Sequence, residues 1–162
     1  MKILFVCTGN TCRSSMAVAL AAREIERAGL TGVKVLSAGT GAVSGMPASR
    51  NAILAMEDMG LDISGHRSTS LDRNMVEDAD LILTMSERHR AEVVELCPEA
   101  EGKVFTLAGY AGLGGDILDP FGGGPGVYRD TAGLISDMVR LAVDRLSAET
   151  GELRKAQEND RH

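Results

Sequence analysis

The chain opens with Lys2-Ile-Leu-Phe-Val-Cys7, a short continuous apolar run that is typical of a β-strand buried on both faces. Thr8-Gly9-Asn10 follows this run and is a turn signal. Apolar residues at helical spacing then extend from Met16 to Ala28, with Ser14 as the expected N-cap and Gly29 as the stop. The beginning of the chain therefore predicts a strand, a tight loop and a helix.

The same alternation of strand and helix continues through the rest of the chain. Further strands are predicted at 33–37, 80–85 and 103–107, and helices at 48–59, 87–96 and 128–150. Short buried strands between amphipathic helices are typical of an α/β fold, here a three-layer α/β/α domain with a parallel sheet. We expect a single domain over residues 1–150 and a frayed polar tail over residues 151–162.

Composition and charge exclude several classes of protein. The 162 residues include 17 Lys and Arg against 23 Asp and Glu, and their interspersed charges sum to −6, which argues against a nucleic-acid partner. No apolar run approaches the ~20 residues of a membrane span. Three cysteines are too few for a disulfide framework and suit a reducing compartment. We expect a soluble, cytoplasmic protein without a membrane partner, and a monomer is the favoured state.

The loop after the first strand, Cys7-Thr-Gly-Asn-Thr-Cys-Arg13, carries the residues expected to perform chemistry. Ligands of parallel sheets bind beyond the carboxyl ends of the strands, where this loop lies. A tight turn can aim its backbone N–H groups inward, and the helix behind it adds unpaired N–H groups, so the loop can enclose a phosphate. The same donors favour the thiolate of Cys7, and the planar guanidinium of Arg13 can hold two phosphoryl oxygens. The residues expected to surround the substrate phosphoryl group are Thr8, Gly9, Asn10, Thr11 and Cys12.

Other phosphate-binding patterns are missing from the sequence. Residues 9–15 lack the Gly-Lys-Ser/Thr of a nucleotide P-loop, and Gly39-Thr-Gly41 and Gly112-Leu-Gly114 lack the third glycine of a dinucleotide-binding loop. The three histidines show no ligand spacing with one another or with the cysteines, so we expect no metal and no cofactor. A non-catalytic phosphate-binding module is the alternative from another class.

The motif and its surroundings resemble the low-molecular-weight protein tyrosine phosphatases. The similarity rests on residues 6–17, on Ser37-Ala-Gly39 after the second strand and on Asp119-Pro120 in a late glycine-rich loop, and it covers nearly the whole chain. The resemblance implies a four-stranded sheet in the order 2-1-3-4. It also implies that Cys7 attacks phosphorus, that Arg13 binds the phosphoryl oxygens and that Asp119 is the general acid. The supporting hydrogen-bond shell that it implies comprises Asn10, Ser14, Ser37 and His66.

The residues around Asp119 are consistent with that role. Pro120 favours an extended, fixed conformation for the aspartate before it. The apolar neighbours Leu118 and Phe121 are expected to keep the carboxyl group protonated until the leaving group needs a proton. Without the cysteine motif, an aspartate before proline indicates only a turn.

Two positions bear on which phosphorylated side chain is the substrate. Thr11 stands on the rim of the loop, where tyrosine-directed members of the family typically carry a bulkier aliphatic residue. Phe121, a predicted substrate contact, is followed by Gly122, whereas tyrosine-directed members often have two neighbouring aromatics. This pattern is similar to that of the bacterial protein-arginine phosphatases. We expect a phosphatase that acts on phosphoarginine in proteins through a phosphocysteine intermediate, with phosphotyrosine as the alternative substrate.

Two further cysteines, Cys12 and Cys97, are not the predicted nucleophile, and the sequence leaves two interpretations of Cys12 open. Cys12 either forms a reversible disulfide with Cys7, which protects the nucleophile from over-oxidation, or is a small filler under the loop. Cys97 is expected to serve packing. Its isolation weighs against an arsenate reductase of the same fold, a remote alternative that needs a nearby pair of cysteines.

Overall fold

The apolar segments form one parallel sheet in the computed structural model, which describes residues 1–161. Its strands are β1 (Lys2–Cys7), β2 (Lys34–Gly39), β3 (Leu81–Thr84) and β4 (Val104–Thr106). They lie in the order β2-β1-β3-β4, and every pairing is parallel, with Ile3 of β1 opposite Val35 and Leu81 of its two neighbours. The predicted fold class and strand order are confirmed.

Helices cover the sheet on both faces. They are α1 (Arg13–Arg27), α2 (Arg50–Asp58), α3 (Arg73–Asp78), α4 (Glu87–Leu96), α5 (Leu107–Tyr110) and α6 (Pro125–Asn159), and a 3₁₀ segment spans Pro98–Lys103. Because side chains alternate along a strand, β1 supplies Ile3 and Phe5 to the core shared with α1, α2 and α6. Leu4 and Val6 enter a second core, under α3 and α4. The two cores give the three layers of the predicted fold.

Several predicted boundaries differ from the structure by a few residues, and three of these differences have a clear local reason. Helix α1 begins at Arg13 after Cys12, so Ser14 lies inside its first turn, where its hydroxyl contacts the Cys7 sulfur instead of capping the helix. Helix α2 begins at Arg50 because the Ser49 side chain accepts the N–H of Ala52.

The third difference concerns the C-terminal end, where a frayed tail is predicted and α6 continues through Asn159. The segment 152–158 consists of strong helix formers without glycine or proline, which explains why it extends the helix although it is exposed. Within the described residues, no helix is both long and apolar enough to cross a bilayer.

The parallel arrangement brings the loops after all strands to one edge of the sheet. Gly39, the last residue of β2, lies tightly against the loop that follows β1. A Cβ atom at Gly39 would lie 2.3 Å from the carbonyl oxygen of Thr8 and 3.0 Å from the amide nitrogen of Asn10. A side chain at this position therefore cannot coexist with the observed loop.

We predict that Gly39→Ala displaces this loop and lowers the melting temperature. Forcing a methyl group against backbone costs about 1–3 kcal/mol, which corresponds to a fall in Tm of roughly 3–10 °C for a chain of this size. Gly41→Ala is the matched control, because its Cβ would meet Thr8 Cγ2 at an ordinary 3.5 Å. Thermal unfolding of both variants checks the prediction, and equal Tm values would contradict it.

Candidate active site

The loop between β1 and α1 turns its carbonyl groups outward. Backbone N–H groups of Thr40, Gly41 and Ser49 donate to the carbonyl oxygens of Cys7 (2.9 Å), Thr8 (3.0 Å) and Thr11 (2.9 Å), respectively. His66 Nε2 lies 2.6 Å from the carbonyl oxygen of Asn10. In a trans peptide the C=O of one residue and the N–H of the next point in opposite directions, and the chain has no cis peptide among its described residues. The N–H groups that consequently face the interior of the loop belong to Thr8, Gly9, Thr11 and Cys12.

Asn10 is the residue that bends the loop. It is fully buried and has a φ of 57°, the left-handed conformation that asparagine tolerates better than most residues. Its amide Nδ2 donates to Ser14 Oγ at 2.7 Å, and its Oδ1 accepts the N–H of Thr69 at 2.8 Å. The side chain thereby ties the loop to the start of α1 and to the segment before α3.

Two donors converge on the sulfur of Cys7, the predicted nucleophile. Cys7 is buried at the end of β1, and its Sγ accepts the N–H of Asn10 at 3.3 Å and lies 2.9 Å from Ser14 Oγ. Because Ser14 Oγ accepts a hydrogen from Asn10, its own proton is available to the sulfur. Hydrogen bonds to a charged acceptor are stronger than those to a neutral one, so this arrangement stabilises a negative sulfur.

Arg13 connects the loop to the segment that carries Asp119. The Arg13 side chain is buried, its Nη1 donates to the carbonyl oxygen of Ile117 at 2.8 Å, and its Nη2 lies 3.5 Å from Asp119 Oδ2. The N–H of Ile117 in turn donates to the carbonyl oxygen of Met85 at 2.9 Å, just after β3. The position of Asp119 is therefore set by both the sheet edge and the arginine.

The surroundings of Asp119 differ from those predicted. Leu118 and Phe121 are each 82% exposed, and the Asp119 side chain is half exposed, so apolar neighbours do not enclose the carboxyl group. Its nearest charged group is Arg13 instead, and Asp119 Oδ1 accepts the N–H of Phe121 at 3.1 Å. The expected apolar environment is wrong because the glycines at 122–124 let the loop turn Phe121 outward.

The structure brings the predicted catalytic and substrate-contacting residues together. They line one cavity of about 220 Å³: Cys7, Thr8, Gly9, Asn10, Thr11, Cys12, Arg13, Asp119 and Phe121. A hydrogen bond from the Thr11 hydroxyl to Asp119 is not formed in the described part of the chain. The Thr11 hydroxyl oxygen lies 3.8 Å from the Cys12 sulfur.

The supporting shell is assembled only in part. Asn10, Ser14 and His66 contact the loop as described above. Ser37 lies within β2 opposite Phe5, and among residues 1–161 its hydroxyl donates no hydrogen bond to the loop. Gly39, two residues further on, is the β2 residue that packs tightly against the loop backbone.

Cys12 is more polar in its contacts than a simple filler. Its Sγ donates to Ser49 Oγ at 3.2 Å and lies 3.5 Å from the hydroxyl oxygen of Tyr128, and all three cysteines are free thiols. Burial, together with the hydrogen bond to Cys12, raises the pKa of Tyr128 to about 12. The phenol therefore stays neutral, and a disulfide with Cys7 requires Cys12 to leave both contacts.

Sequence reasoning missed several residues that contact the loop. Ser49 and Tyr128 are distant in sequence and carry no motif of their own. Gly39 is the last residue of Ser37-Ala-Gly39, a segment on which the family resemblance rests, and this is the signal that could have identified it. His89 belongs to no motif in the sequence, yet its Nε2 lies 2.8 Å from the hydroxyl oxygen of Thr8.

The loop places a buried thiol at the base of inward-facing amides. An arginine stands at its C-terminal end, and an aspartate lies opposite. Such an arrangement defines the class of cysteine-dependent protein phosphatases. Residues 2–152 match the family described as low molecular weight phosphotyrosine protein phosphatase. The chain belongs to this family, as the resemblance of its motif implies.

Named relatives include enzymes of two specificities. The chain is 41% identical to a protein-arginine-phosphatase of Geobacillus stearothermophilus, over 91% of this chain and 97% of the relative. It is 40% identical to the probable low molecular weight protein-tyrosine-phosphatase EpsP of Ralstonia solanacearum, over 90% and 96% of the two chains. A solved structure of the arginine phosphatase YwlE, a cysteine-to-serine mutant with a phosphorylated active-site serine, superposes with a TM-score of 0.85 at 37% identity, covering 96% and 99%.

We predict that Ser14→Ala slows both turnover and thiol alkylation. A hydrogen bond to a charged group contributes about 1.5–3 kcal/mol, so we expect a loss of roughly 10- to 100-fold. The measurements are the initial rate on an aryl phosphate and the rate at which iodoacetate modifies Cys7 at neutral pH.

Ser15→Ala is the matched control for this experiment. Ser15 is the neighbouring buried serine, but its hydroxyl donates to the carbonyl oxygen of Cys12 rather than to the sulfur. We expect the control to retain most activity. Equal losses in the two variants would show that the Ser14 hydroxyl does not act on Cys7.

Proposed function

We propose that the protein hydrolyses phosphoarginine on proteins, using Cys7, Arg13 and Asp119 as its catalytic residues. The composition of the cavity rim is the observation that supports phosphoarginine as the substrate. Thr11 presents a small polar side chain there, and Phe121 is the one aromatic side chain that lines the cavity within the described residues. Gly122, with a φ of 82°, follows Phe121 and offers no second aromatic wall. The similarity to a named protein-arginine-phosphatase supports the same substrate.

The charge of the site fits a guanidinium leaving group. The Asp119 carboxyl is half exposed and faces the cavity beside Arg13. A guanidine nitrogen that leaves phosphorus must gain a proton, and the resulting guanidinium is a cation that a carboxylate stabilises. A planar guanidinium can also stack on a single ring such as Phe121.

The proposed cycle has two displacements at phosphorus. Cys7 Sγ attacks phosphorus as the P–N bond breaks, and Asp119 transfers its proton to the departing nitrogen, which leaves a phosphocysteine. The Asp119 carboxylate then takes a proton from water, whose oxygen attacks phosphorus as the P–S bond breaks. Inward N–H groups and Arg13 stabilise the charge on the transferred group in both steps. The phosphorylated serine in the related YwlE mutant supports a covalent intermediate.

Phosphotyrosine is the second candidate substrate. Phe121 is 82% exposed and can pack against a phenol ring, and a relative at 40% identity is named as a probable tyrosine phosphatase. Arsenate reduction is less supported, because Cys97 packs in the core on the opposite face of the sheet from Cys7. Our proposal includes a phosphatase domain over residues 1–150 and a cytoplasmic, monomeric protein.

A comparison of two substrates tests the proposal. We expect kcat/KM for a phosphoarginine peptide to exceed that for a phosphotyrosine peptide of the same sequence by at least about tenfold, the discrimination that one charge-assisted hydrogen bond to Asp119 supplies. Thr11→Ile should shift this ratio toward phosphotyrosine, because the larger side chain narrows the rim and removes the hydroxyl. Cys7→Ser, which lacks the proposed nucleophilic sulfur, gives the background rate for both substrates. A clear preference of the wild type for the phenol ester would refute the arginine assignment.

The role of Asp119 is tested separately. We expect Asp119→Asn to lower kcat by roughly 10²- to 10⁴-fold, the usual contribution of a general acid, while inorganic phosphate still binds. Asp130→Asn, at an exposed position of α6, is the control because it removes the same negative charge as Asp119→Asn. If the two variants have similar kcat values, another group supplies the proton.

A further inference from the structure

The side chains of Thr8 and His89 form a hydrogen bond that the proposed cycle does not use. Thr8 directly follows the nucleophile, and its Oγ1 lies 2.8 Å from His89 Nε2 although the two residues are 81 positions apart. His89 belongs to the first turn of α4 and is only 4% exposed. A buried imidazole that touches the catalytic loop requires a structural or functional reason.

The other nitrogen of the imidazole is also engaged. His89 Nδ1 lies 2.8 Å from Ser86 Oγ, and the same oxygen accepts the backbone N–H of His89 as the N-cap of α4. Thr84 Oγ1 donates to the carbonyl oxygen of Ser86 at 2.8 Å, which fixes the cap to the end of β3. With both nitrogens bonded, the ring has one orientation, and that orientation aims Nε2 at Thr8.

The electrostatic surroundings keep this ring neutral. Burial is the main cause that lowers the pKa of His89, and the nearby Arg13 and Arg88 lower it further. Glu92 and Asp116 act in the opposite direction and are outweighed. A neutral imidazole has one donor and one acceptor nitrogen, which match the two hydroxyl groups of Thr8 and Ser86.

A contact to the Thr8 side chain affects the orientation of the two neighbouring peptide N–H groups. The second half of the loop is held by Asn10, through Ser14 and Thr69. The two peptides on either side of Thr8 are held by backbone bonds from Thr40 and Gly41 and, among side chains of the described residues, the Thr8 side chain is hydrogen-bonded by His89 alone. The inward N–H groups of Thr8 and Gly9 lie on either side of the Thr8 Cα atom, so fixing the Thr8 side chain fixes both.

We propose that His89 is a positioning residue that, through the Thr8 hydroxyl, holds the N–H groups of Thr8 and Gly9 in the orientation that binds the phosphoryl group. It contacts neither the substrate nor the reacting atoms. The proposal rests on the phosphatase activity of the site and is independent of whether phosphoarginine or phosphotyrosine is the substrate.

Thr8→Val tests the proposal directly. Valine has nearly the same shape as threonine and lacks only the hydroxyl, and Thr8 is exposed, so the variant should fold. We expect kcat/KM for an aryl phosphate to fall about tenfold and inorganic phosphate to bind about tenfold more weakly, since one hydrogen bond is lost. The Tm should change by no more than a few degrees. Thr8→Ser, which keeps the hydroxyl, should restore both values to within about twofold.

Thr31→Val is the control for the exchange of threonine for valine. Thr31 is exposed and precedes β2 at the opposite edge of the sheet, so we expect wild-type values. A Thr8→Val protein with wild-type turnover and wild-type phosphate affinity would overturn the proposal. So would a Thr8→Ser protein as defective as Thr8→Val.

A double-mutant cycle assigns the effect to His89. If His89 acts through Thr8, then Thr8→Val combined with His89→Asn should be no worse than His89→Asn alone. Multiplicative losses would mean that the two side chains act separately and would overturn the proposal. If His89→Asn does not fold, the comparison of Thr8→Val with Thr8→Ser decides alone.

A measurement of phosphate affinity distinguishes failure of this proposal from failure of the proposed phosphatase activity. Titration calorimetry with inorganic phosphate on wild type, Thr8→Val and Thr8→Ser measures the orientation of the amides without any turnover. A wild type that binds phosphate but does not hydrolyse phosphorylated substrates refutes the activity and leaves the affinity comparison valid. Equal phosphate affinities in an active enzyme refute the role of His89.

Discussion

The outward orientation of the peptide carbonyls in the loop from Cys7 to Cys12 is the constraint on which the rest of the site depends. Amides can converge on one anion only if the carbonyls of the same peptides find partners elsewhere, because an unpaired buried carbonyl is costly. The partners are the amides of Thr40, Gly41 and Ser49 and the ring of His66. They come from the connections that follow β2, so the observed conformation of the loop depends on the packing of these segments at the sheet edge.

Arg13 imposes a second constraint, because a buried guanidinium needs compensation. In the structure the Ile117 carbonyl and the Asp119 carboxylate provide it, at 2.8 Å and 3.5 Å. Both belong to one segment, so the arginine that we propose binds the phosphoryl oxygens also holds the proposed general acid at the cavity. A bound phosphoryl group brings its own negative charge to Arg13, which weakens the hold on Asp119 and leaves its carboxyl available to the leaving group. In the proposed cycle, binding of the phosphoryl group and proton transfer are thereby coupled through the Arg13 side chain.

The sequence predicts those features that depend on local pattern. The strand at 2–7, the loop and α1 follow from an apolar run, a turn and helical spacing, and the spacing of Cys7 and Arg13 indicates a phosphate site. Contacts between distant segments leave no such pattern. The approach of Gly39 to Thr8 and the bond from His89 to Thr8 are determined by the packing of loops at the sheet edge. The same packing explains why Ser37 lies away from the loop and why Leu118 and Phe121 face solvent instead of enclosing Asp119.

Burial separates the residues that hold the loop and the Cys7 sulfur from those at the mouth of the cavity. Cys7, Asn10, Arg13 and Ser14 are all buried, and each is held by contacts that the neighbouring segments require. Phe121 and Leu118 are exposed, and Thr11 is only partly buried on the rim. A change in the first group disturbs packing and hydrogen bonds, whereas a change in the second alters the mouth of the cavity at little cost in stability. The rim can therefore change without disturbing the buried loop that we propose transfers the phosphoryl group to sulfur, which is consistent with relatives in one family that are named for two different substrates.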